Sequence, residues 1–157
     1  MKLWREIQLK NLTTKITKGT TPTTMGFDFV PEGINFIKAE SITRYGEIDE
    51  HTFAKIDTKT HEALQRSQIQ EHDILVTIAG IYLGKIGLVQ AHHIPANTNQ
   101  AVAIVRADQT KVIPKYLKYF FLNKSTTTYL NMLCPQSAQP NLNLTQLGNV
   151  KLLLPDP

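Results

Sequence analysis

The residues of this chain that could carry chemistry are a glycine–lysine turn, five histidines, one acid-x-lysine triplet and a single cysteine. Gly80-Ile81-Tyr82-Leu83-Gly84-Lys85-Ile86 has the outline of a phosphate-binding loop. It has three residues between its glycines where the nucleotide-hydrolase pattern needs four, and Ile86 stands where a hydroxyl should bind magnesium. Gly84 also reads as leading into a strand, which has no helix N-terminus to hold phosphate. The histidines, at 51, 61, 72, 92 and 93, show none of the spacings that bind zinc. His92-His93 reads as part of a turn before Pro95. Asp57-Thr58-Lys59 has the form of a metal-dependent nuclease triplet, without a buried apolar strand around it. Neither Cys134 nor any serine sits in a nucleophile elbow. A glycine-rich methyltransferase loop and a Pro-Pro-aromatic motif are also missing. These side chains point to binding rather than catalysis, with no metal and no cofactor.

Binding chemistry is concentrated in polar loops. Lys18-Gly19-Thr20-Thr21-Pro22-Thr23-Thr24 presents one cation and four hydroxyls with no acid before Asp28. Phosphates accept hydrogen bonds from both side-chain types. Arg44 beside Tyr45 could pair a charge with a stacking face. Residues 134–141 hold Gln136, Ser137, Gln139 and Asn141, and amide side chains can offer a paired donor and acceptor to adenine in the major groove. The same compositions also serve ordinary connecting loops.

The elements that must position these loops centre on residues 73–106. β-Branched density predicts strands over 74–78, 85–90 and 101–106. The glycine turn 79–84 and a polar, proline-bearing loop 95–100 would lie between them. Function is expected in those loops rather than in the strands. Towards the N-terminus, Trp4, Ile7 and Leu9 read as anchors, and Leu12 and Ile16 as one face of a helical turn. Residues 33–42 read as a strand and 43–47 as a turn. Residues 58–68 read as a short helix capped by Thr60, with Ala63 and Leu64 facing inward. The strongest helix covers 111–123. Pro114 sits near its start, Leu117, Phe120 and Phe121 make an inward stripe, and Lys111, Lys115 and Lys118 share the outer face. A further helical turn is expected over 128–133, a short capped turn around Leu144 and Leu147, and a strand over 150–154.

At 157 residues, 41% hydrophobic and 19% charged, the chain should fold as one domain. One cysteine excludes an internal disulfide and suits a reducing, cytoplasmic setting. No apolar run would span a bilayer, and charges at Arg5, Glu6 and Lys10 interrupt any signal-peptide core. The net charge of +4 is unevenly spread. Residues 1–18 carry five bases and one acid, residues 19–73 five bases and ten acids, and residues 74–157 seven bases and two acids. That pattern suits a one-sided polyanion surface, or simply a solvated and uneven one.

The ordered set of segments resembles the target recognition domain of the DNA specificity subunit of type I restriction-modification systems. The resemblance is carried by Trp4, by Lys18-Gly19-Thr20-Thr21-Pro22, by Gly33-Ile34-Asn35-Phe36-Ile37 with Glu40-Ser41-Ile42, and by Asp73-Ile74-Leu75-Val76 with Gly80, Gly84-Lys85 and Gly87. It continues through Pro95-Ala96-Asn97-Thr98-Asn99-Gln100, Tyr116-Leu117 with Phe120-Phe121, Gln139-Pro140-Asn141-Leu142 and Leu152-Leu153-Leu154-Pro155. It implies a mixed α/β domain with a central sheet, a few packed helices and polar DNA-reading loops. Such a domain reads one half of a bipartite double-stranded DNA site and is not itself catalytic. Its partners would be a methyltransferase subunit, which uses S-adenosylmethionine, and a restriction subunit. A second recognition domain or a homodimer would complete the site. The long coiled-coil helix of a full subunit has no counterpart here, since no sustained heptad pattern is present. Two other readings are a recognition domain from a restriction or modification enzyme, and a protein-interaction module that regulates such a complex.

Charge and hydrogen-bonding capacity then nominate the contacts. Lys18, Thr20, Thr21, Lys38, Arg44, Lys85 and Lys118 are phosphate candidates, and Arg44, Tyr82, Gln136, Ser137, Gln139 and Asn141 are base-edge candidates. Asn97, Asn99 and Gln100 belong to a motif shared among domains that read different sequences. They are therefore expected to stabilise a loop.

Overall fold

The structure is a computed structural model that describes residues 3–134 and 139–156. Among the described residues, ten strands and four α-helices form a mixed α/β domain. The strands are β1 (Trp4–Gln8), β2 (Thr13–Lys18), β3 (Ile34–Ile37), β4 (Ala54–Ile56), β5 (Gln68–Ile69), β6 (Ile74–Thr77), β7 (Ile86–Leu88), β8 (Ala96–Thr98), β9 (Val102–Ala107) and β10 (Lys151–Pro155). The helices are α1 (Thr58–Ala63), α2 (Pro114–Leu122), α3 (Lys124–Leu133) and α4 (Leu144–Gly148).

The central sheet is antiparallel, in the order β2-β9-β6-β7. All four residues of β6 are buried, which requires a layer on each face. Alternation along the strands builds those layers. Ile74 and Val76 of β6, with Ala103, Val105 and Ala107 of β9, face a core completed by Leu117, Phe121, Leu130, Leu147 and Leu152. Leu75, Val102 and Ile104 face the opposite way, onto Ile37, Ile42, Ile69 and Ala96. This second core lies against an outer sheet in the order β4-β3-β8-β5, in which β3 and β8 are parallel. A separate ribbon joins β1 to β10, so both described ends of the chain lie together.

The strands expected over 74–78, 85–90 and 101–106 are β6, β7 and β9, and the strongest helix is α2 with Pro114 in its first turn. Several local expectations are corrected. Residues 95–100 are not a polar loop, because 96–98 form β8 and Ala96, Asn97 and Thr98 are fully buried. Ile16 lies in strand β2 rather than on a helical turn with Leu12, since pairing with β9 overrides the local four-residue spacing. Trp4 is 60% exposed and anchors nothing, whereas Leu9 is fully buried. Asp57, not Thr60, caps α1. Its carboxylate accepts from the Thr60 hydroxyl (2.6 Å) and the Thr60 amide (2.8 Å). Those two bonds hold the carboxyl below its usual value. The acid-x-lysine triplet is thus an exposed helix start. Ala63 is exposed, and Leu64 alone of that pair turns inward.

Candidate nucleic-acid interface

Strand register gathers the candidate loops at one end of the central sheet. Lys18 at the end of β2 pairs with Ala103, Thr77 at the end of β6 pairs with Val102, and Val76 pairs with Ile86 at the start of β7. Residues 19–21, 78–85 and 99–101 therefore all emerge at this end. Residues 139–142 are tied to the same place. Gly80 donates its amide to the Pro140 carbonyl (2.9 Å), Leu142 donates to the Ile78 carbonyl (2.7 Å), and Asn141 bridges to Ala79. The outer sheet arrives there too, because Ile37 at the end of β3 pairs with Thr98. Lys38 follows directly.

The 19–21 segment lies flat on the ends of β8 and β9. Gly19 donates to the Val102 carbonyl (3.2 Å), and Thr20 donates to the Thr98 carbonyl (3.1 Å). The approach is so close that a Cβ at Gly19 would sit 2.0 Å from the Thr98 oxygen. The Thr21 hydroxyl donates to the Gln100 side-chain oxygen. Arg66, from the turn after α1, donates to the Thr20 hydroxyl (2.9 Å). The sequence alone does not single out Arg66. Nothing local marks it, because its meeting with Thr20 depends on the packing of residues 65–67 against β2.

Asn97, Asn99 and Gln100 work as supports. The Asn97 amide donates to the Leu64 carbonyl and to the Ser67 hydroxyl (both 3.1 Å), and its oxygen meets His61. Asn99 accepts from the Ala101 amide (3.1 Å).

The glycine turn is equally well held. Gly80 adopts φ 76°, a left-handed conformation that glycine takes without strain. The buried Thr77 hydroxyl donates to the Tyr82 carbonyl and accepts the Lys85 amide (2.9 Å), and Gly84 donates to the Thr77 carbonyl (2.9 Å). The Lys85 ammonium lies 4.3 Å from the Tyr82 ring centre. Lys85 also lines a shallow hollow of about 140 Å³ with Arg44, Gly84 and Thr127. Gly84 leads into β7, as the sequence suggests, so the turn is not a phosphate-binding helix start.

Charge sharpens this picture. Among the described residues, Lys18, Lys38, Arg44, Arg66 and Lys85 enter no ion pair. Lys38 and Arg44 sit over the rings of Phe29 and Tyr45 at 5.1 Å and 4.9 Å. Gln139 and Asn141 are exposed. Lys118 is different. Its ammonium meets Glu47 at 3.1 Å, and its side chain is only 13% exposed. Gln136 and Ser137 lie outside the described residues.

Two other features lie away from these loops. An apolar cleft of about 780 Å³, lined by Trp4, Ile7, Leu12, Ile113, Tyr116 and Leu154 among others, occupies the opposite end of β2 and β9. Glu50, His92 and His93 bring potential ligand atoms within 4.8 Å of one another. However, the His93 Nδ1 accepts the Gln90 amide (2.9 Å), which leaves the ring proton on Nε2. His93 thus closes a turn and offers no free lone pair.

A family model described as the type I restriction modification DNA specificity domain matches residues 1–157. The chain belongs to this family. It is 31% identical over 128 residues to the type I restriction enzyme EcoBI specificity subunit of Escherichia coli, a match covering 82% of the chain and 26% of that subunit. Solved structures share the fold of this specificity domain. A chain from work on complex assembly and conformational transition of the type I R-M system superposes with a TM-score of 0.72 at 18% identity, covering 97% of the domain and 38% of that chain. The HsdS subunit from Thermoanaerobacter tengcongensis gives 0.68 at 16% identity, covering 97% and 38%. The S subunit from M. genitalium gives 0.64 at 14% identity, covering 98% and 35%. The domain thus spans about a quarter to two fifths of the relatives that it matches.

Proposed function

We propose that this specificity domain binds double-stranded DNA and reads one half of a bipartite target for a type I restriction-modification complex. The observation that carries this reading is the meeting of unpaired cations and exposed amide side chains on separate segments at one end of the central sheet. Lys18, Lys38, Arg44, Arg66 and Lys85 supply phosphate contacts, with the hydroxyls of Thr20 and Thr21 beside them. Gln139 and Asn141, with Tyr82, supply contacts to base edges. The buried network beneath holds these groups in place before DNA arrives, which lowers the entropy lost on binding. The domain positions other subunits and performs no chemistry. A methyltransferase subunit and a restriction subunit act in the cytoplasm on the DNA that it selects. The other half-site is read by a second recognition domain or a second copy.

Selection from a randomised duplex library at low salt tests this reading, followed by a salt titration on the selected duplex. The expected result is a short asymmetric motif and an affinity that falls steeply with salt. A folded protein that binds no duplex at low salt would overturn the proposal.

A further inference from the structure

Ile81 is 88% exposed, the highest value among the exposed large apolar side chains of the described residues. It stands at the tip of the 80–85 turn. That turn is fixed on both sides, by the Gly80 amide on the Pro140 carbonyl and by the Thr77 hydroxyl between Tyr82 and Lys85. Its own side chain is β-branched and stiff. The fold therefore holds an isoleucine out in water, among cations and amides, at small further entropic cost on contact. A lone exposed apolar residue is common on any surface. This one lies within the loops that face DNA, between the Lys85–Tyr82 pair and the Asn141 bridge to Ala79.

An isoleucine gains nothing from a phosphate. The apolar feature that a major groove offers at base-edge depth is the 5-methyl group of thymine. The neighbouring amide side chains suit adenine in that same groove. A wedge between base steps would instead enter the minor groove and kink the duplex. Resting on the proposed DNA-binding function, we infer that Ile81 is a specificity-determining residue that packs on a thymine methyl group in the major groove. Its contribution is the burial of one methyl against the side chain, about 0.8 kcal/mol, or about fourfold in affinity.

The test replaces each thymidine of the selected duplex by deoxyuridine, which removes only the methyl, and measures binding by the parent and by Ile81→Ala. At one position, the replacement should weaken the parent about fourfold and leave Ile81→Ala unaffected. Ile81→Ala should keep the parent's melting temperature, its salt slope and its affinity for random duplex. The inference is overturned if no position responds in the parent, if the response persists in Ile81→Ala, or if the selected site contains no thymine. Equal weakening of Ile81→Ala on random duplex also overturns it. In all of these cases, selection of a motif by the parent would leave the DNA-reading function standing. A parent that selects no sequence removes both.

Discussion

The lysines at the sheet end differ in what already meets their charge. Lys18 and Lys85 enter no ion pair among the described residues, whereas Lys118 meets Glu47 at 3.1 Å. Each phosphate neutralised by a lysine releases condensed counterions. Lys18→Ala and Lys85→Ala should each lower the salt slope of DNA binding by about one unit and weaken all sequences alike. Lys118→Ala should leave the slope unchanged, because a phosphate would have to displace Glu47. An unchanged slope in Lys85→Ala would remove that residue from the interface. His93 gives a second prediction at this scale. Burial, then the neighbouring His92 charge, holds its imidazole below the ordinary 6.5, against the pull of Glu50 and Glu47. The folded pKa is depressed, so the unfolded chain takes up the proton first as pH falls. The stability contributed by the neutral ring is complete above 6.5 and is lost as pH drops through the folded value. Urea midpoints of the parent should fall between about pH 7.5 and 5.5, and His93→Asn should flatten that fall. Parallel curves for the two proteins would contradict it.

At the scale of elements, the loops depend on close backbone packing. Gly19→Ala would drive a Cβ into the Thr98 carbonyl, 2.0 Å away. The 19–21 segment must then lift from β8, and DNA affinity should drop by more than the loss of Lys18 alone produces. Equal binding in Gly19→Ala and the parent would show that the segment is dispensable. At the far end of the same sheet, Arg106 of β9 donates two 2.8 Å bonds to Asp73, a fully buried carboxylate. Asp73 also accepts the Gln70 amide at 2.8 Å. Asp73→Ala leaves a partly buried guanidinium unpaired and should cost about 3–5 kcal/mol by denaturant unfolding. DNA binding by the remaining folded protein should be unchanged. Strands β6 and β9 were legible in the sequence because their β-branched runs are buried on both faces. β8 was not, because Asn97 and Thr98 look like loop residues until Leu64, Ser67 and Ile37 supply their partners. Loop composition nominates Lys18 as a phosphate candidate, whereas only the tertiary contact with Thr20 nominates Arg66.

On the scale of the molecule, the central sheet separates two unlike ends. Six residues of β2 span roughly 20 Å, from the apolar cleft beside the β1–β10 ribbon to the cationic loops. Glu6, Asp73 and Asp108 are taken up by cations away from the loops, and Glu47, in the same turn as Arg44, is taken up by Lys118. Lys18, Arg44 and Lys85 remain open to an incoming anion. On the proposed function, DNA meets the loop end. The most direct test follows the backbone amide NMR signals of the labelled protein while the selected duplex is added. Shifts should concentrate at Gly19 to Thr21, at Asn99 to Ala101, at Gly80 to Lys85 and at Asn141. Shifts confined to Trp4, Ile113, Tyr116 and Leu154 would place DNA at the apolar end and contradict the claim.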